Sequence, residues 1–424
     1  MSTRSFASPP PAGSAPAPTF TRYEAFVVAI LAIVQFTVVL DFMVLSPLGA
    51  ILLTELNITT VQFGHVVSAY AFSAGISGLL AASFADKFDR KRLLLVFYGG
   101  FIIGTALCGF APNYHALLIA RIVTGLFGGV MSSISFAIVT DLFELQRRGR
   151  VMGYVQMAFA ASQVLGMPFG LYIANHFGWH SPFFFIVLMS AVVMAVVTLR
   201  MKPITGHIHL QTAENPFRRI GRTLVKPRYL RGFVATTLLA CGGFMLMPFA
   251  SAFAVHNLGI TLDQLPFVYL VTGLGSLVFG PLAGRLSDSV GKFKLFCIGC
   301  GIAMISIAIY THLGLTPLWV VILLNVTLFA GVTARMVSAQ ALLSAVPEPR
   351  DRGTFMSINS SVQQVSGGLA AIAAGLIVVQ TAAGPLEHYG RLGYVVCAIM
   401  LTNIVLIGRI DRMIKADARA GTPA

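Results

Sequence analysis

Residues 78–92 read GLLAASFADKFDRKR, and residues 280–294 read GPLAGRLSDSVGKFK. At an offset of 202 residues the two stretches share one glycine, one leucine, one alanine and one aspartate, and they carry basic residues at two further matched positions. A second echo, at an offset of 204, pairs RRGRVMG at 147–153 with DRGTFMS at 351–357. Each stretch lies between apolar runs, so the chain contains an internal duplication of about 200 residues.

The composition excludes most soluble classes of protein. The chain has 424 residues, of which 56% are hydrophobic and 10% are charged, and its mean hydropathy is +0.83. Soluble globular proteins carry about 25% charged residues. Too little polar surface remains to face water, which excludes an ordinary soluble enzyme, a disordered protein and a secreted disulfide scaffold. Lipid is the expected solvent.

Apolar segments long enough to cross a bilayer follow one another along the chain. A spanning helix needs about 20 apolar residues. Twelve segments meet this requirement, at residues 25–47, 61–84, 93–111, 115–138, 150–175, 181–200, 231–255, 265–286, 294–313, 317–341, 354–379 and 390–409. With the duplication, they predict an all-α membrane protein of twelve transmembrane helices in two pseudo-symmetric six-helix bundles.

The segments also predict the domain organisation. Residues 1–22 are rich in Pro, Ala and Ser and are expected to form a disordered tail. An N-terminal bundle over 23–200 is followed by a polar, cytoplasmic linker at 201–230. The C-terminal bundle spans 231–410, and residues 411–424 form a second tail.

The net charge of +14, from 29 basic and 15 acidic residues, falls almost entirely on one side of the predicted membrane. The clusters of that side are at residues 22, 87–92, 147–150, 218–228, 292–294, 350–352 and 412–419, whereas the opposite side has only Arg391. Loops rich in Lys and Arg stay in the cytoplasm. We therefore expect a multi-pass protein of the cell (inner) membrane with both termini cytoplasmic, and we attribute the basic excess to topology rather than to nucleic-acid binding.

The duplicated loop resembles the signature G-x-L-a-D-r-x-G-r-k of the major facilitator superfamily. In the first copy Ala82 and Asp89 stand where glycines are usual, whereas the second copy, Gly284 to Lys292, follows the pattern more closely. Arg121-x-x-x-Gly125 in span 4 is similar to the R-x-x-x-G motif of that family. The resemblance covers about residues 24–410.

Membership implies a secondary transporter that works by alternating access, with its substrate site between the halves. Phe177-Gly178-Trp179 resembles the drug and sugar efflux branches, which are proton antiporters. The resemblance implies a small organic substrate, protons as the coupling ion and a monomer in the lipid bilayer. The proton gradient supplies the energy, and neither a cofactor nor a metal is expected.

The duplicated loops are predicted to form a cytoplasmic gate. A carboxylate there can accept bonds from the free N–H groups of a neighbouring helix start, and nearby basic side chains can bridge the halves. The alternative is that the loops only set topology. Arg335, about eighteen residues into span 10, is expected at the cytoplasmic end and is assigned to the same gate. The predicted gate residues are Asp86, Arg90, Arg92, Asp288, Lys292 and Arg335.

Span 5 is predicted to be kinked. Gly166, Pro168 and Gly170 can bend a helix and let backbones approach. Met167 separates Gly166 from Pro168, whereas glycine directly precedes proline in the antiporter pattern.

Three ionisable residues share one depth in the N-terminal half. Counting 1.5 Å per residue places Asp41, Arg121 and His65 in one band, about 9 Å below the outer boundary. Charges at membrane depth are costly and mark functional sites by default. We therefore predict that Asp41 carries the coupled proton, with Arg121 as its partner, and that His65 is a second candidate carrier. The alternative is a permanent ion pair that locks the bundle.

Other polar side chains at membrane depth are candidates for the substrate cavity, with hydrogen bonding between helices as the alternative. They are Gln35, Thr37, Gln156, Gln163, Asn325 and Gln363.

The sequence therefore predicts proton-coupled efflux of a small organic molecule. The chain has no P-loop of the form GxxxxGK[ST] and no recognisable nucleophile–base pair, which argues against ATP-driven transport and against an enzyme. Two alternatives stay open: a proton-coupled uptake symporter, and a transport-inactive membrane sensor or receptor of the same fold.

Overall fold

The structure is a computed structural model of the whole chain, and it describes residues 20–84, 88–205, 216–348, 351–381 and 384–419. Within these ranges, 12 helical segments are long and apolar enough to cross a membrane. They coincide with the twelve segments predicted from the sequence, so the predicted all-α fold is confirmed.

The N-terminal half contains six spans, of which the fifth is interrupted by a π-helical turn at Ser162–Gly166. Its helices are α1 (Arg22–Val44), α2 (Gly49–Glu55), α3 (Thr60–Phe84), α4 (Arg90–Gly109), α5 (Tyr114–Leu142), α6 (Leu145–Ala161), α7 (Met167–Phe177) and α8 (Ser181–Arg200).

The C-terminal half repeats this plan after a short helix in the linker, α9 (Pro216–Val225). Its helices are α10 (Pro227–Phe244), α11 (Ala250–His256), α12 (Leu265–Val290), α13 (Lys292–Tyr310), α14 (Leu318–Leu343), α15 (Arg352–Ile377) and α16 (Tyr389–Arg419). A 3₁₀ turn, Met247–Phe249, links α10 to α11, and a two-stranded antiparallel ribbon, β1 (Val379–Gln380) and β2 (Leu386–Glu387), precedes α16.

Side chains placed just before three helices fix where these helices begin. Thr21 accepts a hydrogen bond from the Glu24 N–H at 3.2 Å, and the Glu24 carboxylate accepts one from the Thr21 N–H at 2.8 Å. This reciprocal capping box satisfies two N–H groups that a helix start leaves free. Asp89 caps α4 through the Lys91 N–H, and Asn113 caps α5. Asp89, which replaces a glycine of the family signature, therefore has a structural reason to be aspartate.

The observed boundaries correct the predicted linker and tail. The linker, predicted as polar chain over 201–230, contains α9, and α10 begins at Pro227 rather than at 231. The C-terminal tail, predicted from 411, is helical as far as Arg419. Of the predicted N-terminal tail, residues 1–19 lie outside the described residues, and α1 begins at Arg22.

Because twelve spans alternate in direction, the start of α1, the linker and the end of α16 lie on one face, here called the linker face. The opposite face is called the distal face. The halves meet along α3 and α15, where glycines allow close contact. A Cβ on Gly64 would lie 2.8 Å from the Ala371 carbonyl oxygen, and one on Gly375 would lie 2.8 Å from that of Thr60. Substitution at either glycine would force the halves apart.

Hydrogen bonds join the two halves at the distal face. The Thr60 hydroxyl donates to the Val378 carbonyl at 2.6 Å, and the Asn175 amide donates to the Leu262 carbonyl at 2.6 Å. The Ser46 hydroxyl donates to the Met247 carbonyl, and the Ser46 carbonyl accepts from Ser251 at 2.9 Å. These bonds close the distal face.

Ion pairs at the linker face, in contrast, are found within single halves in the described part of the chain. Arg147 binds Glu24 in the N-terminal half, whereas Lys226 binds Asp351 in the C-terminal half. The hydrogen bonds described at the distal face therefore join the two halves, whereas the salt bridges described at the linker face each lie within one half.

Candidate functional site

The strongest candidate site is a buried ion pair in the N-terminal half. The Arg121 guanidinium donates from Nη1 to Asp41 Oδ2 at 2.8 Å, and the same nitrogen lies 3.4 Å from the Asp41 carbonyl oxygen. Asp41 is 0% exposed and Arg121 is 1% exposed. The Thr105 hydroxyl donates to Asp41 Oδ1 at 3.3 Å. The two residues that share one depth in the sequence are thus in direct contact, on α1 and α5.

Glycines bring α3, α4 and α5 close enough to enclose this pair. A Cβ on Gly104 of α4 would lie 2.7 Å from Thr124 Cα, and one on Gly125 of α5 would lie 2.5 Å from the Tyr70 carbonyl oxygen. Gly125 follows Arg121 by four residues and therefore lies on the same face of α5. The R-x-x-x-G motif combines a buried cation with the glycine that lets α3 pack beside it.

Tyr70 is a site residue that the sequence analysis missed. The Arg121 guanidinium carbon lies 4.5 Å from the centroid of the Tyr70 ring, a cation–π contact. Tyr70 is in turn 5.4 Å, between ring centroids, from Phe42, the residue that follows Asp41. The only available signal was a tyrosine in an apolar span, five residues after His65.

His65 lies apart from the ion pair. Its Nδ1 is 3.3 Å from the Tyr114 hydroxyl, at the distal start of α5, and its side chain is half-buried. Within α3, Tyr70 rather than His65 contacts Arg121. The role of His65 in proton coupling stays a prediction, and no direct contact with Asp41 supports it.

The two predicted cavity residues of α1 both bond within the N-terminal half. Gln35 exchanges hydrogen bonds with Ser132 of α5 at 3.0 and 3.2 Å. Thr37 is fully buried, and its hydroxyl lies 3.0 Å from the Tyr98 hydroxyl and donates to the Val34 carbonyl. The structure therefore places Thr37 in helix packing rather than at a cavity.

The remaining predicted cavity residues are partly or fully exposed. Gln156 is exposed, and Gln163 and Gln363 are half-buried. The Asn325 amide donates to the Val321 carbonyl of its own helix at 2.9 Å. Their roles in substrate binding stay predictions.

Span 5 has the predicted irregularity. The π-helical turn at Ser162–Gly166 immediately precedes Pro168, and the Ser162 hydroxyl donates to the Phe36 carbonyl of α1 at 3.0 Å. A Cβ on Gly166 would lie 2.6 Å from Leu40, and one on Gly170 would lie 2.8 Å from Val44. The widened turn and the two glycines let span 5 lie against the part of α1 that carries Asp41.

The predicted gate residues of the first loop are only partly described. Asp86 lies outside the described residues. Arg90 is buried and forms an ion pair with Asp141 of α5 at 2.8 Å, and Asp89 accepts a bond from the Ile204 N–H at 2.8 Å. This network ties α4 to α5 and to the start of the linker, within the N-terminal half. Arg92 is exposed.

The second loop is open in this structure. Asp288 and Lys292 are both exposed. A Cβ on Gly284 would meet no described atom within 4 Å. A latch between the halves through this loop stays a prediction for a different conformation.

The assignment of Arg335 to the cytoplasmic gate is wrong. Arg335 is 1% exposed and donates from Nη2 to the Leu239 carbonyl of α10 at 2.9 Å, in the interior of the C-terminal half. Its Cα lies about 12 Å from the linker-face end of α14. Helical side chains tilt toward the N-terminus of their helix, which for α14 is the distal end, so the guanidinium is carried toward the middle of the bundle.

A comparison with known families decides what kind of protein this is. The sequence profile of the Major Facilitator Superfamily matches residues 31–371 and again residues 232–412. The chain belongs to this superfamily. The two overlapping matches fit the duplication seen in the loops, and they confirm the resemblance drawn from the loop and span-4 motifs.

Relatives of this superfamily member cover most of its length. It is 25% identical over 392 residues to the uncharacterized MFS-type transporter YceJ of Bacillus subtilis. The alignment covers 91% of this chain and 97% of that protein. It is 25% identical over 354 residues to a bicyclomycin resistance protein homolog of Haemophilus influenzae, covering 79% of this chain and 85% of the relative.

Solved structures agree on the fold. The crystal structure of a D-xylose–proton symporter superposes with a TM-score of 0.72 at 18% identity, covering 89% of this chain and 97% of that one. At this identity the likeness shows the fold alone. The protein is thus a multi-pass membrane transporter of the major facilitator fold.

Proposed function

We propose that this protein exports a small organic molecule in exchange for protons, with Asp41 as the proton carrier and Arg121 as its partner. The observation that carries the proposal is the contact of 2.8 Å between these two fully buried side chains. In the spans, a buried ion pair is expensive to form, because both charges lose their hydration. A role of the Asp41 charge in transport would explain why the pair is retained despite this cost.

The chemistry of the pair suits proton exchange. Protonation of Asp41 removes its negative charge and weakens the bond to Arg121, while the contacts of the guanidinium with the Tyr70 ring and the Asp41 backbone carbonyl do not depend on that charge. Deprotonation restores the pair. The two protonation states therefore differ in the strength of the contact between α1 and α5.

A change at Asp41 can reach the other half through the next residue of α1. Phe42 packs edge to face on Phe244 of α10, with ring centroids 5.9 Å apart. Phe244 lies against Gly367 of α15, where an added Cβ would approach the ring to 3.2 Å. Movement of α1 at Asp41 therefore displaces a contact between the halves, which is what coupling to alternating access requires.

Export is favoured over uptake by the relatives. The bicyclomycin resistance protein homolog and Multidrug resistance protein 3 of Bacillus subtilis, which is 33% identical over 130 residues, are named for drug resistance. Resistance by a transporter requires outward movement of the drug. The direction proposed for this chain rests on that similarity.

The proposed orientation places the linker face in the cytoplasm of a cell with an inner membrane, because the basic clusters lie there. In a chain with all five cysteines replaced by serine, an impermeant maleimide added to intact cells should label Glu387→Cys, on the distal face, and spare Arg222→Cys of α9. Labelling of both from outside would overturn the twelve-span topology.

The coupling is tested with Asp41→Asn in proteoliposomes. Bicyclomycin and ethidium are the transport probes, and Asp263→Asn, at an exposed distal loop, is the matched control for loss of one carboxylate. For one proton per substrate, a pH difference of one unit drives about tenfold accumulation in the wild type and in the control. Asp41→Asn should exchange the probe passively but reach a ratio of about 1.

Two results would contradict the proposal. Undiminished accumulation by Asp41→Asn would remove Asp41 from coupling and direct attention to His65. Probe binding without transport by the wild-type protein would favour a membrane sensor instead.

A further inference from the structure

A second buried arginine lies in the C-terminal half without a counter-charge. Arg335 is 1% exposed, and among the described residues its Nε and Nη1 have no hydrogen-bond partner. Nη2 donates to the Leu239 carbonyl at 2.9 Å, and the titratable group that acts on the guanidinium is the thiol of Cys300. Arg121 contacts a carboxylate and an aromatic ring, whereas Arg335 contacts one carbonyl and a neutral thiol.

An unpaired buried cation is strongly unfavourable, because one carbonyl and a thiol replace only a small part of the hydration that the charge has lost. Arginine also stays charged at membrane depth, since its guanidinium does not deprotonate in proteins. A negative group that arrives from outside the chain is therefore the natural partner of this side chain.

Small residues line the side of the guanidinium that faces α10. Two consecutive glycines of α10 face the guanidinium, and a Cβ on Gly242 would lie 3.0 Å from Nη1. At Gly243 a Cβ would meet only Arg335 Nη2, at 3.5 Å, among atoms within 4 Å. The absence of side chains at these two positions lets the α10 backbone lie directly beside the guanidinium.

A second unsatisfied polar group lies on the neighbouring helix. Met400 of α16 approaches the Gly242 Cβ position to 3.4 Å, on the side where Arg335 also lies. Asn403 follows Met400 by three residues and so shares its face of α16. Asn403 is 1% exposed, and both its amide oxygen and its amide nitrogen are buried without a partner among the described residues.

The position of the cluster suits a transported ligand. Gly243 is partly exposed, and the next residue, Phe244, contacts Phe42 of the other half. Arg335 therefore lies directly behind the α10 residues that face the interface between the halves, where the substrate of this fold binds.

We propose that Arg335, with Gly242 and Gly243 beside it, is an anion subsite that binds the carboxylate of a small organic substrate. The guanidinium supplies the charge and two unused donor atoms, and the glycines let it lie close to the part of α10 that faces the other half. If this subsite exists, the substrate of the proposed exporter carries a carboxylate; the inference rests on the proposed function. Its test is equilibrium binding, which needs neither a gradient nor transport.

The probe is sodium benzoate, with benzamide as a neutral molecule of the same shape, and the readout is the melting temperature of the purified full-length protein in detergent. Benzoate should raise the melting temperature of the wild type in a concentration-dependent manner, and benzamide should not. In Arg335→Gln the apparent Kd for benzoate should increase by about tenfold or more, because a charged hydrogen-bond donor is lost. Arg419→Gln, at the exposed end of α16, is the control and should respond as the wild type does.

Arg335→Met provides a second test that does not depend on the choice of probe. An apolar side chain in place of an unpaired buried cation should raise the melting temperature of the ligand-free protein. A lower melting temperature together with an unchanged response to benzoate would assign Arg335 to packing and overturn the proposal.

Inorganic anions are distinguished in a parallel titration of chloride against sulfate at constant ionic strength. Stabilisation by chloride that depends on Arg335, without any effect of benzoate, would assign the site to a resident halide and would overturn the carboxylate assignment. Loss of proton coupling in Asp41→Asn tests the other half of the molecule and leaves these binding results unchanged.

Discussion

The buried pair of Asp41 and Arg121 makes a quantitative prediction about stability. In Asp41→Asn the amide oxygen can accept from Arg121 Nη1 and the amide nitrogen can donate to the Thr105 hydroxyl oxygen, but the negative charge is lost. Arg121 remains 1% exposed, with its Nε already without a partner among the described residues. A buried cation without a counter-ion is then left in the N-terminal half.

Breaking a buried ion pair by removing one partner costs about 3–5 kcal/mol, whereas replacing both partners by neutral groups is often close to neutral. Because Asn preserves two hydrogen-bond contacts, we expect Asp41→Asn to lose about 3 kcal/mol, at the low end of that range. Arg121→Gln leaves the carboxylate alone and should lose a similar amount. The double variant Asp41→Asn with Arg121→Gln should lie within about 1 kcal/mol of the wild type.

Equilibrium unfolding in mixed detergent micelles measures the four free energies of this double-mutant cycle. The two single losses should exceed the loss in the double variant by several kcal/mol, which is the interaction energy of the pair. Additive losses, with the double variant about twice as destabilised as either single one, would refute the reasoning. Such a result would mean that each charge is stabilised independently, for example Arg121 by the Tyr70 ring.

Three further outcomes follow from the described contacts. Gly125→Ala should destabilise the protein by about 1–3 kcal/mol, because its Cβ would overlap α3, whereas Gly149→Ala, with no atom within 4 Å, should be neutral or stabilising in the same unfolding assay. Asp89→Ala should cost about 0.5–2 kcal/mol through loss of the α4 cap, and Asp89→Ser should recover most of it. The hydrogen bond that Lys226 donates to the Asp351 carboxylate raises the pKa of Lys226 above its ordinary value of 10.5, so the stabilisation is present below pH 10.5 and lost above the raised pKa. The difference in melting temperature between the wild type and Lys226→Met should therefore stay constant from about pH 7 to pH 10 and shrink only in stronger alkali.

The sequence was sufficient for the fold because the decisive signals extend over the whole chain. Twelve apolar segments and a duplicated loop are properties that local packing cannot change. The contact between Asp41 and Arg121 was also predictable. Counting residues along two antiparallel spans gives their depths, and two opposite charges at one depth in the membrane are stabilised by forming an ion pair.

Depth alone does not tell which way a side chain points, and the errors follow from this. Thr37 lies at a plausible depth for a cavity, but it faces Tyr98 inside the bundle. Arg335 was placed by its Cα near the membrane surface, whereas its long side chain reaches back to the Leu239 carbonyl. Tyr70 was missed because a cation–π contact depends on the angle at which α3 presents its ring to α5. Packing between helices sets these angles, and the residue pattern of a single span does not determine them.

The bonds that hold the distal face closed have a consequence for how the protein responds to its surroundings. Among the described residues, the hydrogen bonds of that seam are made by the neutral side chains of Ser46, Thr60, Asn175 and Ser251 and the carbonyls they meet, beside apolar contacts such as Phe63 on Phe249. At about 0.5–1.5 kcal/mol each, four such bonds represent a modest barrier of roughly 2–6 kcal/mol. Because no titrating or ionic group takes part in these bonds, the ease with which this face opens should not vary with the acidity or the salinity of the medium it borders. Under the proposed mechanism, opening of the distal face would then respond to protonation of Asp41 rather than to the medium outside.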